Sequence, residues 1–341
     1  MRTLETDFGQ YKKERVVKYT LENQSGTRIS VLNFAGIWQE FSVLEKGQRR
    51  QLLLQGDSIK DYINNELYLN RVIARTAGRI DQARFVLKQK LIQTLPNEQT
   101  NSLHGGPKGF AHQFFNVTVN QEQGQIILKK TLSETDDSFP GTLELTVSYS
   151  LTENNQVTVS FLGRQSKADG VFNPTLHAYF NLGQSDDILD HSLLVNSQQH
   201  LQLNAAKIPT GRLVDNQGPF DLAEYPNLKE PLARLKKTSK EQGFDDVFVI
   251  ACPHTGPIAR LKDLNSNYEL TITSDRNALV VYTANQMASN LHLNHPAKPW
   301  SAVALEAQTL PNSENLTSLG DVTLLKDSYR KESISYQFLR G

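Results

Sequence analysis

Cysteine is nearly absent from this chain, with Cys252 alone among 341 residues. No internal disulfide is possible, so the fold must rest on its core, and a reducing compartment is expected. Long apolar runs are absent as well, and no segment approaches the ~18 consecutive apolar residues of a membrane helix. The opening MRTLETDFGQYKKERVVKYT carries charge throughout and has no apolar stretch of signal-peptide length. A cytoplasmic protein that does not enter a membrane is the expectation. Neither sign of charge is in excess, since 36 Lys and Arg balance 36 Asp and Glu. Such a surface has no field to gather nucleic acid or acidic lipid, and it suits an uncharged small molecule. Several motifs are missing too: GxxxxGK[ST], HExxH, CxxC and GxSxG do not occur, which sets aside P-loop, zincin, redox-dithiol and serine-hydrolase chemistry. His292 and His295 in LHLNHPAKPW lack an obvious third ligand and sit among prolines, so surface or packing roles fit better than a metal site. The sequons at Asn23, Asn116 and Asn315 read as chance matches.

What the chain has is a period of two. In TLELTVSYSL, residues 142–151, Leu143, Leu145, Val147, Tyr149 and Leu151 share one face and polar residues the other. After TENNQ the pattern resumes at Val157, Val159 and Phe161, which predicts a hairpin. A second hairpin is expected in 114–132, turning near Glu122 to Gly124. A third is expected in IARLKDLNSNYELTITSD, with Tyr268, Leu270 and Ile272 inward. VVKYTLEN, RISVLNFAG, RFVLKQKLIQTL, ALVVYTAN, SAVALEAQT and SISYQFL read as further strands. Helix signals are few and short, the best being DSIKDYINN with Asp57 or Ser58 as cap. Hairpins without βαβ alternation imply an all-β, antiparallel architecture. With no fixed repeat, linker or shift in composition, one large β-sandwich domain over residues 1–341 is expected, with few short helices.

Five places carry unusual polar residues. FNPTLHAYFNLG sets His177 among a proline, two asparagines and aromatic rings; alone, a buried and hydrogen-bonded histidine is the plainer reading. SLHGGPKGF has His104 before two glycines, which let another group come close to the backbone. ARTAGRIDQARF has Arg79 among small residues, and GFDDVFVI sets Asp245 and Asp246 between apolar ones. In SAVALEAQTLPNS, counting by two puts Glu306 on the face of Ala302 and Ala304, whose small side chains leave room for a ligand. Together they favour a polar site.

At these residues the chain resembles the aldose 1-epimerase, or galactose mutarotase, family over nearly its whole length. NPTLHAYFNL, LHGGPKGF, SETDDSFPGTLELTVSYSL, VVYTAN and LEAQTLPNSEN match the family's segments in order. The resemblance implies a supersandwich fold and an isomerase that interconverts the α and β anomers of a free hexose through ring opening. It implies His177 as the acid toward the ring oxygen and Glu306 as the base for the C1 hydroxyl. Arg79, His104, Tyr179 and Asp245 would grip the sugar. Imidazole near ~6.5 can give or take a proton at neutrality, and a glutamate near ~4.3 would be ionised. No cofactor and no metal are required. The expected partner is galactose or glucose, and at most a second copy of the chain in a homodimer. Ala74, Gly78, Val280, Ala307 and Asn312 depart from the family's usual residues, which bears on the sugar more than on the reaction. The alternatives are a non-catalytic sugar-binding protein on the same fold, an epimerase for maltose or phosphorylated hexoses, and a glycosidase, which usually needs two carboxylates.

Overall fold

Alternating side chains sort themselves onto two faces, and three large sheets result. In the computed structural model, residues 1–63, 65–287 and 290–340 are described. A five-stranded meander runs in chain order through Arg2–Tyr11, Glu14–Glu22, Arg28–Leu32, Trp38–Glu45 and Gln48–Gln51. An eight-stranded sheet is ordered Asn116–Asn120, Gln125–Leu132, Thr142–Leu151, Gln156–Ser166, Tyr329–Arg340, Tyr268–Ser274, Ala259–Asp263 and His191–Val195. The third, six-stranded, is ordered Tyr179–Phe180, Val303–Gln308, Ala278–Tyr282, Asp245–Val249, Gln199–Leu203 and Pro209–Asp215. Pairing is antiparallel throughout these sheets. The chain is therefore the all-β antiparallel sandwich that its period of two implies.

The inward faces named from sequence are buried. Leu143, Leu145, Val147 and Tyr149 are fully buried, as are Val157, Val159 and Phe161 opposite them. One core cluster draws side chains from all three sheets, including Trp38, Phe41, Val147, Phe161, Phe180, Leu305 and Tyr336. Trp38 anchors it, stacked on Phe41 with centroids 5.0 Å apart and packed against Tyr336 and Phe180. An isolated bridge ties Leu53, just past the last strand of the five-stranded sheet, to Phe180 in the six-stranded one.

One strand is divided in two, and two further elements come in addition to those expected. RFVLKQKLIQTL is two strands, Arg84–Leu87 and Lys90–Gln93, because Lys88 and Gln89 both take positive φ and turn the chain. The charged amino-terminal segment forms the strand Arg2–Tyr11, at the sheet's edge and largely exposed, where polar residues are tolerated. The longest α-helix, Lys229–Thr238, was not anticipated. It buries Leu232 and Leu235 beside Leu228 at i, i+4 and i+7 spacing, and the Asn227 side chain accepts the Lys229 N–H. The expected helix is there, at Ile59–Ile63, with Ser58 rather than Asp57 at its start. The Ser58 N–H and hydroxyl both donate to Asp61. The Asn23 sequon is buried and spent on structure, holding Thr27 and Thr152.

Candidate active site

The strand Val303–Gln308 is buried from end to end. Its odd positions Val303, Leu305 and Ala307 enter the main core. Ala302 and Ala304 leave on the other face, against Tyr179 and Tyr282. Glu306 and Gln308 follow on that face and line a cavity of about 870 Å³. His177, His104, Arg79, Asp245 and Tyr179 line the same cavity.

Side-chain clamps set the register between His177 and Glu306. Asn173 Oδ1 accepts the Thr309 N–H at 2.9 Å, its Nδ2 donates to the Thr309 carbonyl, and the Thr175 hydroxyl donates to the Ala307 carbonyl. On the other flank, His177 N–H donates to Arg71 O, Asn70 N–H donates to His177 O, and Asn70 Oδ1 takes the Tyr179 N–H. Beneath lies the buried Arg276, which donates to Asn173 Oδ1, to Thr309 Oγ1 at 2.8 Å and to the Pro174 carbonyl. The asparagine and threonine of NPTLHAYFNL thus serve the histidine by fixing backbone. His177 Nε2 stands 3.3 Å from Glu306 Oε1, with both side chains nearly inaccessible.

Burial decides the protonation of this pair, and it corrects the expected ionised glutamate. Desolvation pushes Glu306 up to about 8; the Asp245 charge adds to this and Arg79 opposes it. Desolvation pulls His177 down to about 3, a backbone hydrogen bond opposes that, and the Arg71 charge adds to it. At neutrality the couple therefore holds one labile proton, resting on the carboxyl beside a neutral imidazole. Glu306 Oε2 and His177 Nδ1 have no hydrogen-bond partner among the described residues. The His177 ring lies nearly parallel to Tyr179 at 5.0 Å and to Tyr68 at 6.4 Å. The Tyr179 hydroxyl donates to the Leu67 carbonyl at 2.8 Å, so what it brings to the site is its ring.

His104 takes a φ of 51° ahead of Gly105. Gly105, at φ +83°, is held to glycine because a Cβ there would lie 2.3 Å from the Ala74 carbonyl oxygen. The Gly78 N–H donates to His104 Nδ1 at 3.2 Å. A backbone N–H can only donate, so Nδ1 is the acceptor and Nε2 carries the ring proton. Burial first, then the cost of placing a second positive charge beside His177 and Arg79, hold His104 well below its usual value and neutral. His104, His177 and Glu306 offer ligand atoms within 4.8 Å of one another. Yet a protonated Nε2 cannot ligate, so this tautomer suits a donor to a hydroxyl better than a metal ligand. His292 is exposed and belongs to no such cluster among the described residues.

Arg79 meets Glu98 as a two-pronged pair, Nε to Oε2 at 2.5 Å and Nη2 to Oε1 at 2.7 Å. Desolvation works against its charge, but Glu98, Asp245 and Glu306 hold it up. Asp245 stands 3.6 Å from Lys207 Nζ, which also meets Glu241 at 3.2 Å. Between Asp245 and Glu306 the floor is apolar. Val280 lies opposite Glu306 and Val247 opposite Val280, and directly paired residues share a face. Glu98, Tyr68 and Gln308 line the cavity without having been singled out from sequence. Of these only Gln308 had a signal, its spacing of two from Glu306.

The chain has relatives among known proteins. The sequence profile of the family described as aldose 1-epimerase matches residues 17–337. The chain is 36% identical to a maltose epimerase of Levilactobacillus brevis over 344 aligned residues, covering all of both chains. It is 33% identical to an aldose 1-epimerase of Streptococcus thermophilus, covering 98% of this chain and 97% of that protein. Among solved structures, the galactose 1-epimerase of Lactobacillus acidophilus superposes with a TM-score of 0.85 at 23% identity, covering 100% and 99% of the two chains. That likeness speaks for the fold.

Proposed function

From the premise that this chain belongs to the aldose 1-epimerase family and is an isomerase, we propose that it interconverts the α and β anomers of a free reducing sugar, with His177 and Glu306 as its proton-transfer couple. The observation that carries this is the 3.3 Å approach of His177 Nε2 to Glu306 Oε1 at the wall of a cavity that Arg79, His104 and Asp245 also line.

The couple works with one labile proton. With the closed hemiacetal bound, the proton first passes from Glu306 to His177 across their 3.3 Å contact. The Glu306 carboxylate then takes the C1 hydroxyl proton while the His177 imidazolium gives its proton to the ring oxygen. The C1–O bond breaks, leaving an aldehyde and a free hydroxyl. Glu306 is then protonated and His177 neutral, which is the resting form derived above. After rotation about C1–C2 both protons return and the ring closes on the other face. The net charge of the couple never changes, so no charge needs to enter or leave a dry site. His104 Nε2–H donates to a sugar hydroxyl, and Arg79 and Asp245 hold others. Replacing Arg79 or Asp245 by Ala is expected to raise KM by about tenfold or more, read from initial rates against sugar concentration; saturation at the wild-type concentration would remove that residue from the grip.

The pH dependence has a definite sign. The active couple keeps one proton, so it is lost upward as that proton leaves near about 8, and downward only as a second arrives near about 3. We expect kcat/KM to stay flat through neutrality and to fall above pH 8. A rise through that range would mean that ionised Glu306 beside neutral His177 is the working form.

An uncharged sugar suits the lining. The lining carries both signs of charge, Arg71, Arg79, Lys207 and Lys240 with Glu66, Glu98, Glu241, Asp245 and Glu306, and Arg79 and Lys207 are already paired. A phosphorylated hexose would want such cations free. Galactose and glucose are the simplest candidates. Size favours a second reading, a reducing disaccharide such as maltose. The cavity stands near the top of the roughly 300–1,000 Å³ range of small-molecule sites, and the Levilactobacillus brevis relative is named for that sugar. Polarimetry on fresh α-galactose, α-glucose and β-maltose decides both matters: relaxation no faster than buffer with all of them would reject the enzyme, and the relative rates name the sugar.

A further inference from the structure

Gln308 is fully buried, yet neither its Oε1 nor its Nε2 has a hydrogen-bond partner among the described residues. Each unmatched buried polar group costs about 1–3 kcal/mol, so an amide unmatched at both ends needs a reason. Its position supplies one. Gln308 follows Glu306 by two on the strand Val303–Gln308, so both side chains leave on the same face, and both line the cavity. Ala278 lies opposite and has no polar side-chain atom to offer.

At Gly78, with φ +73°, a Cβ would lie 2.5 Å from Pro311 Cβ and 3.5 Å from Gln308 Nε2. A side chain there would collide with Pro311, so residue 78 offers the Gln308 amide no side-chain partner. Same-face positions on a strand are about 7 Å apart. That spacing lets a pyranose whose C1 hydroxyl meets Glu306 reach Gln308 with its C2 or C3 hydroxyl.

We propose that Gln308 is a substrate-binding residue whose amide donates to and accepts from a hydroxyl on C2 or C3 of the reducing ring. This assignment rests on the mutarotase reading above and adds a determinant of which sugar is accepted. A hydroxyl matched at both ends of the amide is read as a sugar bearing it, against one lacking it.

Gln308→Met keeps length and removes the polar atoms. Expected for the variant is a KM for glucose raised about 10- to 100-fold with a smaller change in kcat, and a melting temperature equal to or above the wild type. On 2-deoxyglucose or 3-deoxyglucose, whichever lacks the contacted hydroxyl, the same substitution changes KM little. An unmoved KM for glucose overturns the assignment. So does a lowered melting temperature with equal losses on glucose and both deoxy sugars, which marks a structural role. Failure of the wild type to speed anomer exchange fells the functional reading instead. Calorimetric titration of glucose into wild type and Gln308→Met then still tests Gln308, because equal dissociation constants would overturn its role.

Discussion

Glu306→Gln lowers turnover by about 10²- to 10⁴-fold, the range for loss of one positioned proton-transfer group, while raising the melting temperature at pH 8. Both effects have one cause. Glu306 titrates at its ordinary 4.5 when unfolded and at about 8 in the fold. Between those values the native state holds a proton that the unfolded chain has released, so stability falls as pH rises, and the penalty is complete above about 8. Glutamine has the same shape and does not titrate. Its advantage is therefore absent below about pH 4 and largest at pH 8 and above. Thermal unfolding of both proteins at pH 5 and pH 8.5 reads this directly, and a melting-temperature difference that does not grow with pH would contradict the buried, proton-retaining glutamate. In the proposed mechanism the couple gives up stability for the reaction.

Arg75→Ala is expected to destabilise the protein by about 3–5 kcal/mol, the cost of removing one partner from a buried ion pair. Arg75 is fully buried. It donates to Asp137 through Nε at 2.8 Å and Nη2 at 3.0 Å, and to the carbonyls of Pro140, Leu132 and Gly141. Removing it leaves a carboxylate without a counter-charge and carbonyls without donors. Asp137, already raised by desolvation that the Arg75 charge opposes, then takes up a proton. Since single domains are stable by about 5–15 kcal/mol, the urea midpoint should fall by about a fifth or more. A fall equivalent to less than ~1 kcal/mol would show that the neighbourhood rehydrates. Arg75→Met with Asp137→Leu should recover much of the loss, because neither charge is then stranded. The same stretch holds the active site, for the Arg75 carbonyl accepts the Asn173 N–H at 2.7 Å.

The sheets were legible because a half-buried strand writes its two faces into alternate residues, as 142–151 and 157–161 do. Glu306 was legible for the same reason, as the charged residue on a face of alanines. The helix Lys229–Thr238 had a readable stripe in Leu228, Leu232 and Leu235, but its lysines and Pro231 make it look like a loop. Glu98 and Arg276 could not be read at all. Each is an ordinary charged residue until the fold brings Arg79 or Asn173 beside it. The protonation of His177 and Glu306 was equally hidden, since ordinary pKa values describe groups in water and the fold removes the water.

The proposed mechanism requires His177 and Glu306 to act as one couple around a single labile proton. Anomer exchange measured for His177→Ala, Glu306→Ala and the double variant, at pH 7 and with all three folded, tests it most directly. Groups that act as a unit lose nearly everything with the first deletion, so the double variant should be no slower than the slower single one. If the two losses instead multiply, each residue works independently and the shared-proton mechanism is wrong.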